Sequence, residues 1–320
     1  MRRTSVVLLT LLLLAISAGA AFAVFTKSRS VPSNNISTAS DWTAPSVSSS
    51  VIAKTTGYAS GYIKQGGAYY VYANVTDNGN PPVGISTVTT NVSTVTTGQT
   101  TAALTAGSYS VGGVSYNYRS ASLTANSSLS AGTYTYSIAA TDSGSRSATQ
   151  TGLTVVVDNT APSASDIQTT NGGSIAGRAE PGDTMTFTFS EPIEPNSILS
   201  GWTGSSTSVV VRLNDGGLGN DTVTIYNSAN TAQLPLGSVS LARTDYTSAN
   251  RTFGASGTAS TMVLSGSAIT VTLGTQSAAA TTAASTGTMS WTPSATATDR
   301  AANACTTTAR SETGTADKEF

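Results

Sequence analysis

The clearest hydrophobic pattern in this chain is alternation. From Thr184 to Phe189, Met185, Phe187 and Phe189 fall on one side of an extended segment and Thr184, Thr186 and Thr188 on the other, the period-two spacing of a half-buried β-strand. Two further alternating runs flank Gly112-Gly113. Glycine supplies the positive φ that a two-residue hairpin loop needs, so the pattern predicts a hairpin pairing Val111 with Val114. Tyr109, Val111, Val114, Tyr116 and Tyr118 are then expected on one apolar face. Ala68 to Val75 is aromatic and β-branched and is closed by the breaker cluster Asp77-Asn78-Gly79-Asn80-Pro81-Pro82, which reads as a strand running into a loop. Leu153 to Val157, Ser208 to Leu213, Thr222 to Tyr226 and Ala268 to Leu273 are further strand candidates. Asn196 to Leu199 with Trp202 reads as a short turn or helix that plugs a sandwich.

The N-terminus follows another pattern. Arg2 and Arg3 precede an apolar core from Val6 to Ala15, small residues and Ala21-Phe22-Ala23, the layout of a secretory signal with cleavage expected after Ala23. The competing reading is an uncleaved anchor from Val6 to Phe25, just long enough to cross a bilayer. Residues 24–41 are polar and read as a tether.

Asp158-Asn159-Thr160-Ala161-Pro162 is a near copy of Asp41-Trp42-Thr43-Ala44-Pro45. Proline fixes φ, lacks an N–H and pushes its predecessor toward extended geometry, so each copy reads as a stiff joint between strands. This punctuation divides the chain into a signal peptide (1–23), the tether, a first module (42–158) and a second module (159–320) with a polar C-terminal tail. The expected fold class is all-β, two tandem sandwiches after an N-terminal hydrophobic segment.

Composition narrows the chemistry. Charged residues make up 10% of the chain, against about 25% in an ordinary soluble domain. With 15 basic and 16 acidic residues there is no basic field for nucleic acid. Histidine is absent, which removes the commonest general base and nitrogen metal ligand. Cys305 is the single thiol, so no internal disulfide forms and Cys/His zinc sites are excluded.

Leu129-Ser130-Ala131-Gly132-Thr133-Tyr134 and the run to Asp142 resemble the tyrosine corner of immunoglobulin-like sandwiches. The resemblance implies that the Tyr134 hydroxyl bonds back to the turn and that Tyr136 takes the slot held by cysteine in antibody domains. Gly182-Asp183-Thr184 to Ile193, with its Phe-Ser-Glu-Pro-Ile run, resembles the Ig-like repeats of S-layer and other bacterial surface proteins. The stretch from Gly19 to Ala39 is similar to camelysin-type leaders. Gly287 to Asn303 repeats the layout of Gly132 to Asp142 with Met289 in the corner slot, so there the corner hydrogen bond is expected to be missing. Tyr134, Pro162, Phe187, Phe189 and Trp202 are the expected structural residues.

Each candidate for chemistry has a plainer rival. Gly216-Gly217-Leu218-Gly219-Asn220-Asp221-Thr222-Val223 fits one calcium-binding nonapeptide, but such sites need stacked copies, and a glycine-rich hairpin explains it. Asp158-Asn159 loosely resembles cadherin-type calcium linkers, and Asp77 and Asp142 on module-end loops add carboxylates toward the six to eight oxygens calcium takes; the rival is a plain stiff linker. Glu191 and Glu194 suggest a glycosidase pair, but both flank prolines in a turn, where capping accounts for them. No Gly-x-Ser-x-Gly elbow occurs. Tyr69, Tyr70 and Tyr72 are either a carbohydrate-stacking row or core.

The reading that follows is a non-catalytic exported surface or matrix protein with a structural or adhesive role and no required cofactor. Its expected partners are surface proteins, glycans or further copies of itself, with membrane contact only through the N-terminal segment. The alternative is a carbohydrate- or protein-binding module reading through the first module's tyrosines.

Overall fold

The computed structural model describes residues 41–320. The expected signal peptide, its cleavage point and all of the tether except Asp41 lie outside the described residues. The remainder is all-β, with one four-residue helix, α1 (Pro195–Ile198). Among the described residues no helix is long and apolar enough to cross a membrane.

The strands form two sheets, one on each side of residues 158–163. The first contains β1 (Ser46–Lys54), β2 (Tyr62–Ile63), β3 (Ala68–Thr76), β4 (Ile85–Asn91), β5 (Ala102–Val111), β6 (Val114–Ser120), β7 (Leu123–Thr124), β8 (Gly132–Asp142) and β9 (Ser147–Val157). Its order is β1-β3-β6-β5-β4-β8-β9-β2, with β7 alongside β3. The start of β5 pairs with β4 and the rest with β6, so β5 crosses from one layer to the other and lets the sheet fold back on itself. Between the layers lie Ile52, Tyr69, Val71, Val75, Tyr136, Ile138 and Val155.

The second sheet contains β10 (Ala164–Thr170), β11 (Thr184–Phe189), β12 (Thr207–Asn214), β13 (Thr222–Asn227), β14 (Gln233–Ser240), β15 (Arg251–Phe253), β16 (Ser260–Ser265), β17 (Ala268–Thr272), β18 (Ser290–Thr292) and β19 (Arg310–Ser311). Its order is β10-β11-β17-β16-β12-β13-β14-β18-β19, with β15 paired to β12. The alternation of β11 becomes burial: Met185, Phe187 and Phe189 are inside, and the threonines between them are half-buried. Phe187 and Phe189 meet the ring of Trp291 edge-on at 5.2 and 4.8 Å, a geometry aromatic quadrupoles favour. The Trp291 indole N–H donates to the Leu236 carbonyl at 2.6 Å. Trp202 and Ile198 close the same core from α1 and the turn after it. The Trp202 indole donates to the Ser205 carbonyl.

The Tyr134 hydroxyl bonds back to the preceding turn, donating to the Ser130 carbonyl at 3.0 Å. Met289 in the corresponding slot is a fully buried core residue. The Gly112-Gly113 hairpin pairs Val111 with Val114, with φ of 60° and 76° at the two glycines.

One expectation is corrected here. The hairpin does not present a single apolar face, because Gly107 and Ser108 together oppose Asn117 in a bulge, and a bulge sharpens local twist. Beyond it, Val111, Tyr116 and Tyr109 pack on an outer cluster with Tyr72. Tyr118 packs on the inner core instead, and Val114, at the tip, is 48% exposed.

Candidate functional site

The tyrosine row is mostly core. Tyr69 has no exposed surface, and its hydroxyl hydrogen-bonds to the Thr96 hydroxyl at 2.7 Å. Tyr72 is 5% exposed, held among Tyr70, Tyr109 and Tyr116. Both therefore leave the set of ligand-stacking candidates: the strand puts Tyr69 inward, and the hairpin of β5 and β6 covers Tyr72. Tyr70 is half-buried, and the Arg119 guanidinium lies over its ring at 4.3 Å and over that of Tyr109 at 4.4 Å.

The joint is a docked interface rather than a bare linker. Residues 41–320 form one compact unit, and the strongest tie across it is Lys54 at the end of β1 with Glu194 at the N-cap of α1, 2.5 Å apart and both buried. Glu194 Oε2 also accepts from the backbone N–H of Ala59, and Oε1 from that of Tyr58. Lys54 Nζ donates to the Arg300 carbonyl at 2.7 Å and Lys64 Nζ to the Ala302 carbonyl at 2.6 Å. Burial pushes the Glu194 carboxyl up, but the Lys54 ammonium and the two backbone donors outweigh it and hold the group below the usual range. Glu194 thus does capping and docking work, and its sequence neighbour Glu191 lies in a different cluster.

Pro162 is buried at the joint, and its carbonyl accepts from the Thr306 N–H. Asn159 is occupied as a staple: its Oδ1 accepts from the Gln65 N–H and its Nδ2 donates to the Leu129 carbonyl, both at 2.8 Å. It has little left to offer an ion.

The four metal candidates do not converge on one point. Asp142 and Asp158 lie at opposite ends of the eleven-residue β9, a separation of about 33 Å at the usual rise per residue. The structure sorts the three aspartates among them into two triads instead. Asp41, Asp77 and Asp142 each place one carboxylate oxygen within 4.8 Å of the others, and so do Asp158, Glu191 and Asp299.

The two triads are built alike. In each, the first member opens a copy of the Asp-x-Thr-Ala-Pro joint and accepts from the N–H two residues on, Thr43 at 2.8 Å or Thr160 at 3.0 Å. The second member stands in a proline-bearing loop after β3 or β11. The third member starts a turn in which residue i+3 has positive φ, Ser145 at 65° or Ala302 at 72°. There the N–H of residue i+4 donates to Oδ1, from Arg146 at 2.8 Å or Asn303 at 2.7 Å.

Their electrostatics differ. The N–H groups of Gly79 and Gly84 hold the Asp77 carboxyl below its ordinary range. In the second triad, burial and then the charges of Asp158 and Asp299 push Glu191 up to about 7. Asn303 Nδ2 also satisfies Asp299 Oδ2 at 2.7 Å, so that triad is partly closed by its own side chains. A third acidic cluster, Glu312, Asp317 and Glu319, lies near the end of the chain.

Asp221 of the glycine-rich nonapeptide is fully buried. Its carboxylate accepts from the N–H groups of Gly216, Tyr246 and Thr247, which makes it a loop tie.

Asp41, Lys54 and Asn303 were not legible as site residues, and Glu194 was legible as a cap but not as a docking group. The signal for Asp41 lay in the two internal repeats: aligning both joints and both Gly-to-Asp stretches places Asp41 with Asp158 and Asp142 with Asp299. Searches with protein-family models and against curated proteins return no match to this chain.

Proposed function

We propose that this chain is a non-catalytic, exported surface or matrix protein whose two sandwiches, read as bacterial Ig-like modules, act as one stiff spacer. The observation that carries the reading is the buried Lys54–Glu194 tie, which joins modules that a flexible linker would leave to move independently. The Tyr134 corner supports the Ig-like assignment, and the leader and sparse charge support export. The glycan-reading alternative is weakened by the burial of Tyr69 and Tyr72.

Small-angle scattering of the secreted chain tests stiffness. A single narrow distance distribution is expected, broadened in a Lys54→Ala/Glu194→Ala double variant; a wild type already as broad as the variant removes the spacer reading. Cell fractionation with N-terminal sequencing tests export. A mature chain starting at Val24 in the medium or surface fraction is expected, and an intact chain kept in the cytoplasm counts against it. Glycan-array binding that Tyr70→Ala abolishes without loss of fold would move the assignment to the alternative.

A further inference from the structure

We infer that Asp41, Asp77 and Asp142 form a Ca2+ site at the end of the first sandwich away from the joint. Asp41 and Asp142 are 4% and 1% exposed. In each, Oδ1 is fixed by a backbone N–H, while Oδ2 is buried and accepts no hydrogen bond. Two buried carboxylate oxygens left bare beside a third carboxylate carry a large desolvation cost unless something positive sits among them.

No side chain among the described residues pairs with these oxygens. Among the described residues the ion pairs are Lys54–Glu194, Arg178–Glu180 and Arg243–Asp245. Arg146, the cation beside the cluster, turns its guanidinium over the Trp42 ring and its Nη2 toward the Asp41 carbonyl. The oxygen spacing suits one shared ion: two ligands at about 2.4 Å from a Ca2+ lie at most about 4.8 Å apart. An all-carboxylate donor set in a chain without histidine selects a hard cation over zinc or copper. Bidentate binding, backbone carbonyls and water complete the six to eight oxygens that Ca2+ takes.

The pocket is also kept open by sequence. A Cβ on Gly79 would sit 2.0 Å from Asp41 Oδ2, so only glycine lets that carboxylate lie where it does. The same three-part arrangement recurs at Asp158, Glu191 and Asp299.

The test uses Ca2+ alone on the chelator-treated full chain. Millimolar CaCl2 is expected to raise the unfolding temperature. Asp77→Asn, at a half-buried position and with folding in chelator checked by circular dichroism, is expected to weaken Ca2+ binding by about tenfold or more. Asp142→Asn should remove one bound ion per chain by calorimetric titration. Trp42 adjoins Asp41, so Tb3+ in place of Ca2+ should give indole-sensitised emission that Ca2+ quenches by competition and Trp42→Phe strongly reduces. The inference is overturned if Ca2+ leaves the wild-type unfolding temperature unchanged, if Asp77→Asn and Asp142→Asn bind as the wild type does, or if Trp42→Phe leaves the Tb3+ emission intact.

Discussion

Glu194 accepts from one ammonium and two backbone N–H groups of the opposite module, so its removal strands several donors in a buried place at once. Breaking one half of a buried ion pair costs about 3–5 kcal/mol, although replacing both halves by apolar groups is often neutral. Glu194→Gln and Lys54→Met singly are therefore expected to lower stability by about that much in urea unfolding, and the double variant by less than the sum of the two; additive losses would mean that the pair is not coupled. Because the folded Glu194 carboxyl lies below its usual range, its contribution is present above the unfolded pKa and fades as pH falls through the folded one. Tyr134 offers a smaller, cleaner test. Tyr134→Phe removes the bond to the Ser130 carbonyl and should cost about 0.5–1.5 kcal/mol, with no change in tryptophan fluorescence.

At the scale of elements, legibility followed the simplicity of the pattern. β11, β13 and β17 were readable because apolar positions alternate with threonines, and β12 because Val209, Val210 and Val211 form a β-branched run. β14 was not, since Pro235 and Gly237 sit inside it and both read as breakers. Its pairing with β13 explains why they are tolerated: the register slips between Thr224 and Tyr226, so extra residues of β14, Pro235 among them, fall in an irregular stretch where a missing N–H costs nothing. Gly237 has φ 78°, and a Cβ there would lie 2.0 Å from the Thr292 carbonyl oxygen of β18. Gly237→Ala is thus expected to push β18 away and loosen Trp291, costing roughly 2 kcal/mol or more, since the strained φ and the backbone clash act together. Unfolding followed by tryptophan fluorescence measures it; a loss below about 1 kcal/mol would mean that β18 moves freely.

For the whole molecule, pH acts through the acidic clusters. Burial first, and then the neighbouring Glu312 and Asp317, push Glu319 up to about 8, and Glu191 rises in the same sense. A carboxyl whose folded pKa exceeds its unfolded value binds more protons when folded, so its stabilising effect is complete below the unfolded pKa and is lost as pH rises through the folded one. In chelator the unfolding temperature is therefore expected to fall between about pH 5 and pH 8, the window bounded by these pKa values, and Glu319→Gln should flatten part of that fall. A wild-type curve that is level or rises across the window would contradict this assignment.

The sequence by itself determined the all-β class, the Val111–Val114 hairpin register, the bond of Tyr134 back to its turn and the inward rings of Phe187 and Phe189. These are local matters, decided by side-chain period, by the φ that glycine and proline permit, and by turns a few residues long. Tertiary structure alone decided which face of the Tyr70–Tyr72 row is covered, because the β5–β6 hairpin, distant in sequence, packs over Tyr72. It also decided that Lys54 meets Glu194, and that Asp77 and Asp142 gather around Asp41 while Asp158 joins Glu191 and Asp299. Which carboxylates become neighbours depends on strand length and sheet closure, and no short stretch of sequence encodes either.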